Sequence, residues 1–501
     1  MLQWIYNLRI TYPNDPIYLG DDDVTNAFKW IKNNPLIIAM CGFTSHEHAI
    51  VGFCTGQNFG NCWSPSNFEI IAVARQMWAQ YLWLHQPKEA IDRAAPFAKK
   101  MTIADPISND PPVKAQKDAL NPGVKDSHGN RLAPWYAMQV DDCMFADNRE
   151  NIILTATMSI IALEDLSGAA QPFQEHPLSF KKWNPHYGEL RLLVGNDVNT
   201  RRMVVLISAN RRTKVTCFLQ EEGWIIYGQS KTIRQICVVL GILNSAAKYF
   251  PWARAQLFVL ENLLRIAIRK RYVQAKASKK CRDDISIKKK RLPPSMYYRM
   301  TSIQAVVEAQ FAFADDLKID IPDQATLAVL TLFKYLVKKE PWECPIGHIV
   351  PTIPTWTSYG DASEQCIGLF IQSEKVICIL PFTQSLKTRI DNKEVHINNL
   401  EYIALHLAKI LVQLLYSRNP EKYPPHPCHD AKGDNTPSIS WLNFLSTASK
   451  LGQQQIRLTA EYTLLHDVKS TALHLTGKTN DPADSFSRPY RLSPKPYPSL
   501  W

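Results

Sequence analysis

The 501-residue sequence contains no Cys-x-x-Cys pair, and its eleven cysteines are an odd number scattered along the chain. A disulfide framework is therefore not expected, and the thiols read as free and mostly buried. Two loose groupings, Cys41/His46/His48/Cys54 and His426/Cys428/His429, lack the two-pair spacing of tetrahedral zinc sites, so neither reads as a zinc centre. No apolar run approaches the ~20 residues that a membrane helix needs; Ile236–Leu243 is typical of the longest. The opening stretch Met1–Ile10 carries Gln3, Asn7 and Arg9 and has no signal-peptide layout. No internal repeat is visible. These absences lead to the expectation of a soluble chain without a membrane partner, cytoplasmic or nuclear, of about two to four domains.

Apolar residues make up 46% and charged residues 21%, a globular balance with material for real cores. The net charge is +11, and its location is the informative part. Twelve Lys/Arg lie between Arg265 and Arg291 against Asp283 and Asp284, so +10 of the excess sits in one segment. Such a tract can neutralise nucleic-acid phosphates. A solvated helix face, a linker or a nuclear-localisation-like run has the same composition, so the tract alone does not discriminate.

Proline-rich stretches punctuate the chain. Pro87–Pro134 holds seven prolines and reads as a long surface insertion, and Pro341–Pro354 holds four. Between the breaks, Val51–Phe53, Ala137–Val140, Cys143–Phe145 and Met203–Ile207 read as short strands. Ser66–Leu84, Ile233–Ala247, Ala253–Ala267 and Gln324–Val337 have helical spacing of apolar residues. Further on, Thr355–Tyr359 and Cys366–Gln372 read as strands of a second sheet, and Leu400–Tyr416 as a helix. The pattern predicts an α+β multidomain chain with a helical, basic connector.

Three groups of carboxylates could do chemistry. Asp141-Asp142 lies between strand-like segments, where a tight hairpin would present it at a sheet edge. Adjacent carboxylates repel unless a cation offsets them, and Mg²⁺ takes all-oxygen ligands. An ordinary surface turn is the plainer reading of that pair. Asp21-Asp22-Asp23 could supply a facing carboxylate at a strand end, or be an acidic turn or helix start. In the C-terminal part, Asp361, Glu401, Asp434 and Asp484 follow one another in the contexts Asp-Ala-Ser, a helix start, Gly-Asp-Asn and Asn-x-x-Ala-Asp-x-x-Ser-Arg.

Taken together, these strings resemble a retroelement reverse transcriptase–ribonuclease H protein of the LTR or DIRS type. Asp23…Ala27-Phe28, Phe59-Gly60…Ser64-Pro65 and Val140-Asp141-Asp142 match three palm motifs in order. Leu192–Gly195 with Asp197–Arg201 resembles the strand pair that grips the primer. Asp361…Glu401…Asp434…Asp484, with His474-Leu475-Thr476-Gly477-Lys478 upstream of the last, resembles the ribonuclease H pattern. The resemblance implies a palm with truncated fingers over 1–210, interrupted by the insertion at 87–134, and a helical thumb/connection over 211–292. A connector over 293–354, a ribonuclease H-like α/β domain over 355–490 and a tail over 491–501 complete the layout.

By the same resemblance, Asp23, Asp141 and Asp142 would hold two Mg²⁺ (or Mn²⁺) for DNA synthesis, and Asp361, Glu401, Asp434 and Asp484 two more for RNA cleavage. Phe28 would gate against ribonucleotides, while Phe59, Gly60 and Gly195 would bind nucleotide or primer. His474 would assist ribonuclease H, although a structural histidine is the plainer reading. Implied partners are template-primer, RNA–DNA hybrid, dNTPs and other retroelement proteins. The sequence departs from the family in three places. Gln139 stands where the hairpin has Tyr, only 22 residues precede Asp23, and the Asp23–Asp142 interval is stretched. The alternative is therefore a catalytically silent relic that only binds nucleic acid.

Overall fold

The computed structural model describes residues 1–25, 42–45, 50–53, 64–139, 142–167, 176–247, 249–277, 318–338, 343–445, 447, 449–465 and 468–488. Phe28, Phe59, Gly60 and Asp141 lie outside the described residues, as do Cys41, His46, His48, Cys54 and most of the basic tract. The chain forms two compact units, Met1–Leu206 with Pro345–Ile353, and Ile207–Cys344 with Pro354–Trp501. Residues 345–353, assigned from sequence to the connector, thus belong to the first unit. There Ile346 N donates to Met203 O (2.7 Å), and Asn121 Nδ2 donates to Pro351 O (2.8 Å).

The first unit contains helices α1 (Leu2–Thr11), α2 (Ser64–His85), α3 (Lys88–Ala98) and α4 (Ile152–Ser167). Its central sheet is antiparallel, with β3 (Asp142–Asn148) between β1 (Ile17–Asp23) and β2 (Ala137–Gln139). Helix α4 is buried without a break from Thr155 to Leu163, with buried Thr and Ser among the apolar residues, so it carries no clean amphipathic period for a sequence reading to detect. It packs with α2 against the sheet. Gly20 is required by close approach, because a Cβ there would lie 2.2 Å from the Phe145 ring on the neighbouring strand. A second hairpin, β4 (Leu190–Leu193) and β5 (Asn196–Asn199), turns through Val194 and Gly195, both at positive φ (49° and 76°).

The Pro-rich insertion is partly helical (α3) and otherwise strapped down. Val113 N donates to Arg201 O (2.8 Å), Val124 N to the Thr11 hydroxyl (2.9 Å) and Ile107 N to Glu189 (3.1 Å). At its far end Arg131 binds Asp147 (2.6 Å) and lies over the rings of Trp4, Tyr12 and Trp83. Backbone polar groups that have no ladder to join are satisfied here by side chains and by neighbouring backbone.

The second unit begins with four helices, α5 (Ala209–Glu221), α6 (Ile233–Ala246), α7 (Pro251–Ala277) and α8 (Asp323–Val337). Helix α6 starts at a capping box, with Thr232 and Gln235 each satisfying the other's backbone N–H. A five-stranded mixed sheet follows, built from β6 (Trp356–Ala362), β7 (Cys366–Ile371), β8 (Val376–Pro381), β9 (Cys428–Gly433) and β10 (Lys469–His474). The spatial order is β8-β7-β6-β9-β10. The first three are antiparallel, whereas β6, β9 and β10 run parallel.

Helices α9 (Gln384–Asp391), α10 (Ile397–Arg418), α11 (Thr436–Phe444), α12 (Lys450–Leu465) and α13 (Asp481–Ser487) surround this sheet. Among the described residues α10 is the one helix long and apolar enough, by length and composition, to cross a membrane. In this fold it lies on the sheet, and its register against α12 is set by a polar seam. Asn399 bonds Gln455 (2.9 Å), Tyr402 bonds Thr459 (2.8 Å), and Lys409 bonds Thr463. Burial pulls the Lys409 amine down to about 7.

Candidate functional site

The two acidic motifs of the first unit lie on adjacent strands. The register pairs Asp23 with Asp142, and Gln139 with Asp142, so the motifs converge at one end of the sheet. Because side chains alternate along a strand, Asp21 and Asp23 share one face and Asp22 points to the other. Each member of the triplet has its own cation. Asp22 is fully enclosed and binds Arg75 of α2, with the Ser159 hydroxyl donating to its second oxygen (2.8 Å). Asp21 binds Arg191 of β4, yet burial holds its carboxyl above the usual range. Asp23, nearly buried, meets Lys182 at 2.9 Å, while Asp142 is exposed.

The Asp22–Arg75–Ser159 network is not foreseen by the sequence reading of the triplet as a strand-end carboxylate, an acidic turn or a helix start. Its signal was Arg75 itself, the one Lys/Arg in the apolar helix α2 (Ser64–His85). A charge on a buried helix face needs a buried partner.

In the second unit the structure brings three of the four expected residues together. Asp361 ends β6, Asp434 follows β9, and these are the carboxyl ends of neighbouring parallel strands, where α/β sheets open a crevice. Glu401 reaches the same point from the first turns of α10. One oxygen from each of Asp361, Glu401 and Asp434 lies within 4.8 Å of the others, the one such group among the described residues. The three sit at the floor of an open cleft of about 460 Å³, whose rim includes Ser363 and Arg488.

Burial, then the charge of their neighbours, raises the carboxyls of Asp361 and Glu401 well above their ordinary range. The arrangement has an excess of negative charge with all-oxygen donors. That is what a hard divalent cation requires.

Asp484 does not join this group. It stands on α13 with its carboxylate 2.9 Å from Arg488, and its charge acts on Asp361 from there. The string Asn480…Ser487 acts chiefly as a brace. Asn480 is buried and donates to Gly360 O (3.3 Å), and the buried Ser487 hydroxyl donates to Asp361. Ser363 Oγ in turn donates to Ser487 O (2.7 Å). Gly368 is glycine because α13 passes directly over it; a Cβ would lie 2.4 Å from Ser487 N. Ser487 is the positioning residue that a carboxylate search passes over.

His474 ends β10 opposite Gly433, exposed and one residue from Asp434 in the register. His429, by contrast, is fully buried between Ser358 (2.8 Å) and Ser470 (3.0 Å). Burial drives its pKa down to about 3, which is the behaviour of a neutral core histidine held by hydroxyls. Gly195 occupies the turn of the β4–β5 hairpin.

No family profile and no curated protein matches this sequence. Solved structures with partial similarity include the foamy viral protease-reverse transcriptase in complex with an RNA/DNA hybrid, 10% identical with a TM-score of 0.34. The match covers 94% of this chain and 45% of that one, so the chain spans less than half of that protein's length. The same protein in complex with dsDNA is 12% identical over 91% of this chain and 67% of that one, with a TM-score of 0.34. RNase H1 from the halophilic archaeon Halobacterium salinarum NRC-1 is 16% identical over 26% of this chain and 92% of that one, with a TM-score of 0.19.

Proposed function

We propose that the second unit hydrolyses the RNA strand of an RNA–DNA hybrid in a divalent-cation-dependent, ribonuclease H-type reaction. The observation that carries this reading is the convergence of Asp361, Glu401 and Asp434 at the carboxyl ends of two parallel strands, in a cleft open to solvent. Asp361, Glu401 and Asp434 would hold Mg²⁺ or Mn²⁺, with Asp484 at the rim. Such ions, when bound, supply an activated water and stabilise charge on the leaving oxygen. The chain's own contribution is positional. Ser487 and Asn480 fix β6 and the Asp361 carboxylate, and the backbone N–H of Ala362 meets Glu401. His474, paired with Gly433 next to Asp434, would be the auxiliary residue for proton transfer.

The first unit is proposed as a reverse transcriptase palm, with Asp23, Asp141 and Asp142 as its metal-binding carboxylates and dNTPs as substrates. The Asp23–Asp142 register supports this second activity. The Lys182 contact to Asp23 would then have to yield to the metal. The whole would serve retrotransposon replication. One assay tests both activities: a labelled RNA–DNA hybrid with a recessed primer, dNTPs and Mg²⁺, run with wild type, Asp142→Asn and Asp434→Asn. Extension is expected to disappear only with Asp142→Asn, and RNA cleavage only with Asp434→Asn. Binding of the hybrid by wild type with neither extension nor cleavage would leave a nucleic-acid-binding relic.

A further inference from the structure

The cleft around Asp361, Glu401 and Asp434 is short of positive charge. Its walls present four carboxylates, Asp361, Glu364, Glu401 and Asp434, and one cation, Arg488. A phosphodiester entering the cleft is repelled by every charged wall group except that arginine. Arg488 is already engaged, with its guanidinium 2.9 Å from the carboxylate of Asp484, four residues earlier in the chain. We propose that Arg488 grips a phosphate of the RNA–DNA hybrid and that Asp484 holds it in reserve until the hybrid arrives. Its transfer leaves the Asp484 charge uncompensated, which strengthens the hold of the neighbouring carboxylates on their cation. This inference rests on the reading of the cleft as a divalent-cation nuclease site.

The backbone that carries Arg488 is fixed, and its side chain is not. Ser487, one residue before it, is fully buried. Its hydroxyl donates to Asp361, and its carbonyl accepts from Ser363 Oγ (2.7 Å) and Cys366 Sγ (2.9 Å). The Arg488 side chain is 39% exposed and that of Asp484 22%, so their ion pair is of the weak, solvent-screened class and exchanges readily. A phosphate offers the guanidinium two parallel charge-assisted hydrogen bonds in return. The pair also acts on the cation site. After burial, the Ser487 hydrogen bond and the Asp434 charge, the Asp361 carboxyl feels Asp484, which raises it, and Arg488, which lowers it. Felt from Asp361 the two charges oppose each other, and a phosphate that draws Arg488 away ends that balance. Hybrid and cation therefore favour each other's binding, reciprocally.

Two measurements on the full chain, neither needing turnover, test this, with circular dichroism to show that each variant folds. In EDTA, fluorescence anisotropy of a labelled RNA–DNA hybrid is followed over a range of salt. Arg488→Gln weakens binding about tenfold. It also makes the salt dependence shallower by about 0.9 in log–log slope, the share of one phosphate, whereas Arg488→Lys keeps the slope. Asp484→Asn frees Arg488 and tightens the hybrid about threefold, a gain that disappears when Arg488→Gln is added. Without nucleic acid, electron paramagnetic resonance of free Mn²⁺ reads the other half. Arg488→Gln binds Mn²⁺ about three- to tenfold more tightly than wild type, and adding Asp484→Asn cancels the gain. An unchanged salt slope or an unchanged Mn²⁺ affinity in Arg488→Gln overturns the inference. If Mn²⁺ binding by wild type is lost in Asp434→Asn, the nuclease reading of the cleft survives that failure; if it is indifferent to Asp434→Asn, both fall.

Discussion

Replacing Glu401 by Gln should stabilise the β6–β9 region in the absence of metal, most strongly at alkaline pH. The three carboxylates have oxygens within 4.8 Å of one another. At an effective dielectric near 20, one unit-charge pair at that separation repels by about 3 kcal/mol. Glu401→Gln removes two such pairs, and proton uptake in the wild type offsets part of the repulsion, leaving a gain of about 1.5–3 kcal/mol.

The sign follows from the direction of the shifts. Asp361 and Glu401 both titrate above their ordinary range when folded. Their contribution to stability is therefore fully present below pH ~4 and is lost as pH rises through the raised values. Hydrogen exchange of Trp356–Ala362 and Cys428–Gly433, read by mass spectrometry and corrected for intrinsic rates, reports this locally. In EDTA at pH 9 the variant should be protected about ten- to a hundredfold more than wild type, with little difference at pH 4. Adding Mg²⁺ should restore protection to wild type and do little for Glu401→Gln. Equal protection of the two proteins at pH 9, or equal stabilisation of both by Mg²⁺, would refute the reasoning.

Four further outcomes follow from the same geometry. Arg75→Met leaves Asp22 buried with only the Ser159 hydroxyl and should cost about 3–5 kcal/mol in urea unfolding of the first unit. Gly20→Ala forces the Phe145 ring out of its place and should cost about 1–3 kcal/mol, read in the same way. Val194→Asn suits the left-handed turn that a β-branched residue strains, so it should raise the unfolding free energy by roughly 0.5–1 kcal/mol. His429 is held neutral in the fold, with its pKa driven down to about 3. Stability should therefore fall as pH drops from ~6.5 towards 3, and His429→Gln should flatten that decline in an acid titration followed by near-UV circular dichroism.

The secondary elements were legible where their apolar period was clean. Helices α2, α6 and α8 and strands β6 and β7 lie within three residues of their expected bounds. Helix α4 was not, because every residue from Thr155 to Leu163 is buried and no polar face marks a period there. The insertion gave no sign of α3 because Pro96 inside a short amphipathic helix reads as a break. The local strings pointed to Asp361, Glu401 and Asp434, and these are the three carboxylates that the fold brings together. What their convergence depends on was hidden. Ser487 and Asn480 reach Gly360 and Asp361 across more than a hundred residues, and no local pattern announces such a contact. The acidic triplet shows the opposite failure, since one string holds three carboxylates with three different cations.

The most direct test of the central claim is cleavage of a labelled RNA strand by the full chain, with and without Mg²⁺, in three forms: an RNA–DNA hybrid, single-stranded RNA and double-stranded RNA. Wild type and Glu401→Gln are compared. The account predicts Mg²⁺-dependent cleavage of RNA in the hybrid alone, reduced on the order of a thousandfold by Glu401→Gln. Cleavage that survives Glu401→Gln or EDTA, or a wild type that binds the hybrid and leaves its RNA intact, would contradict it.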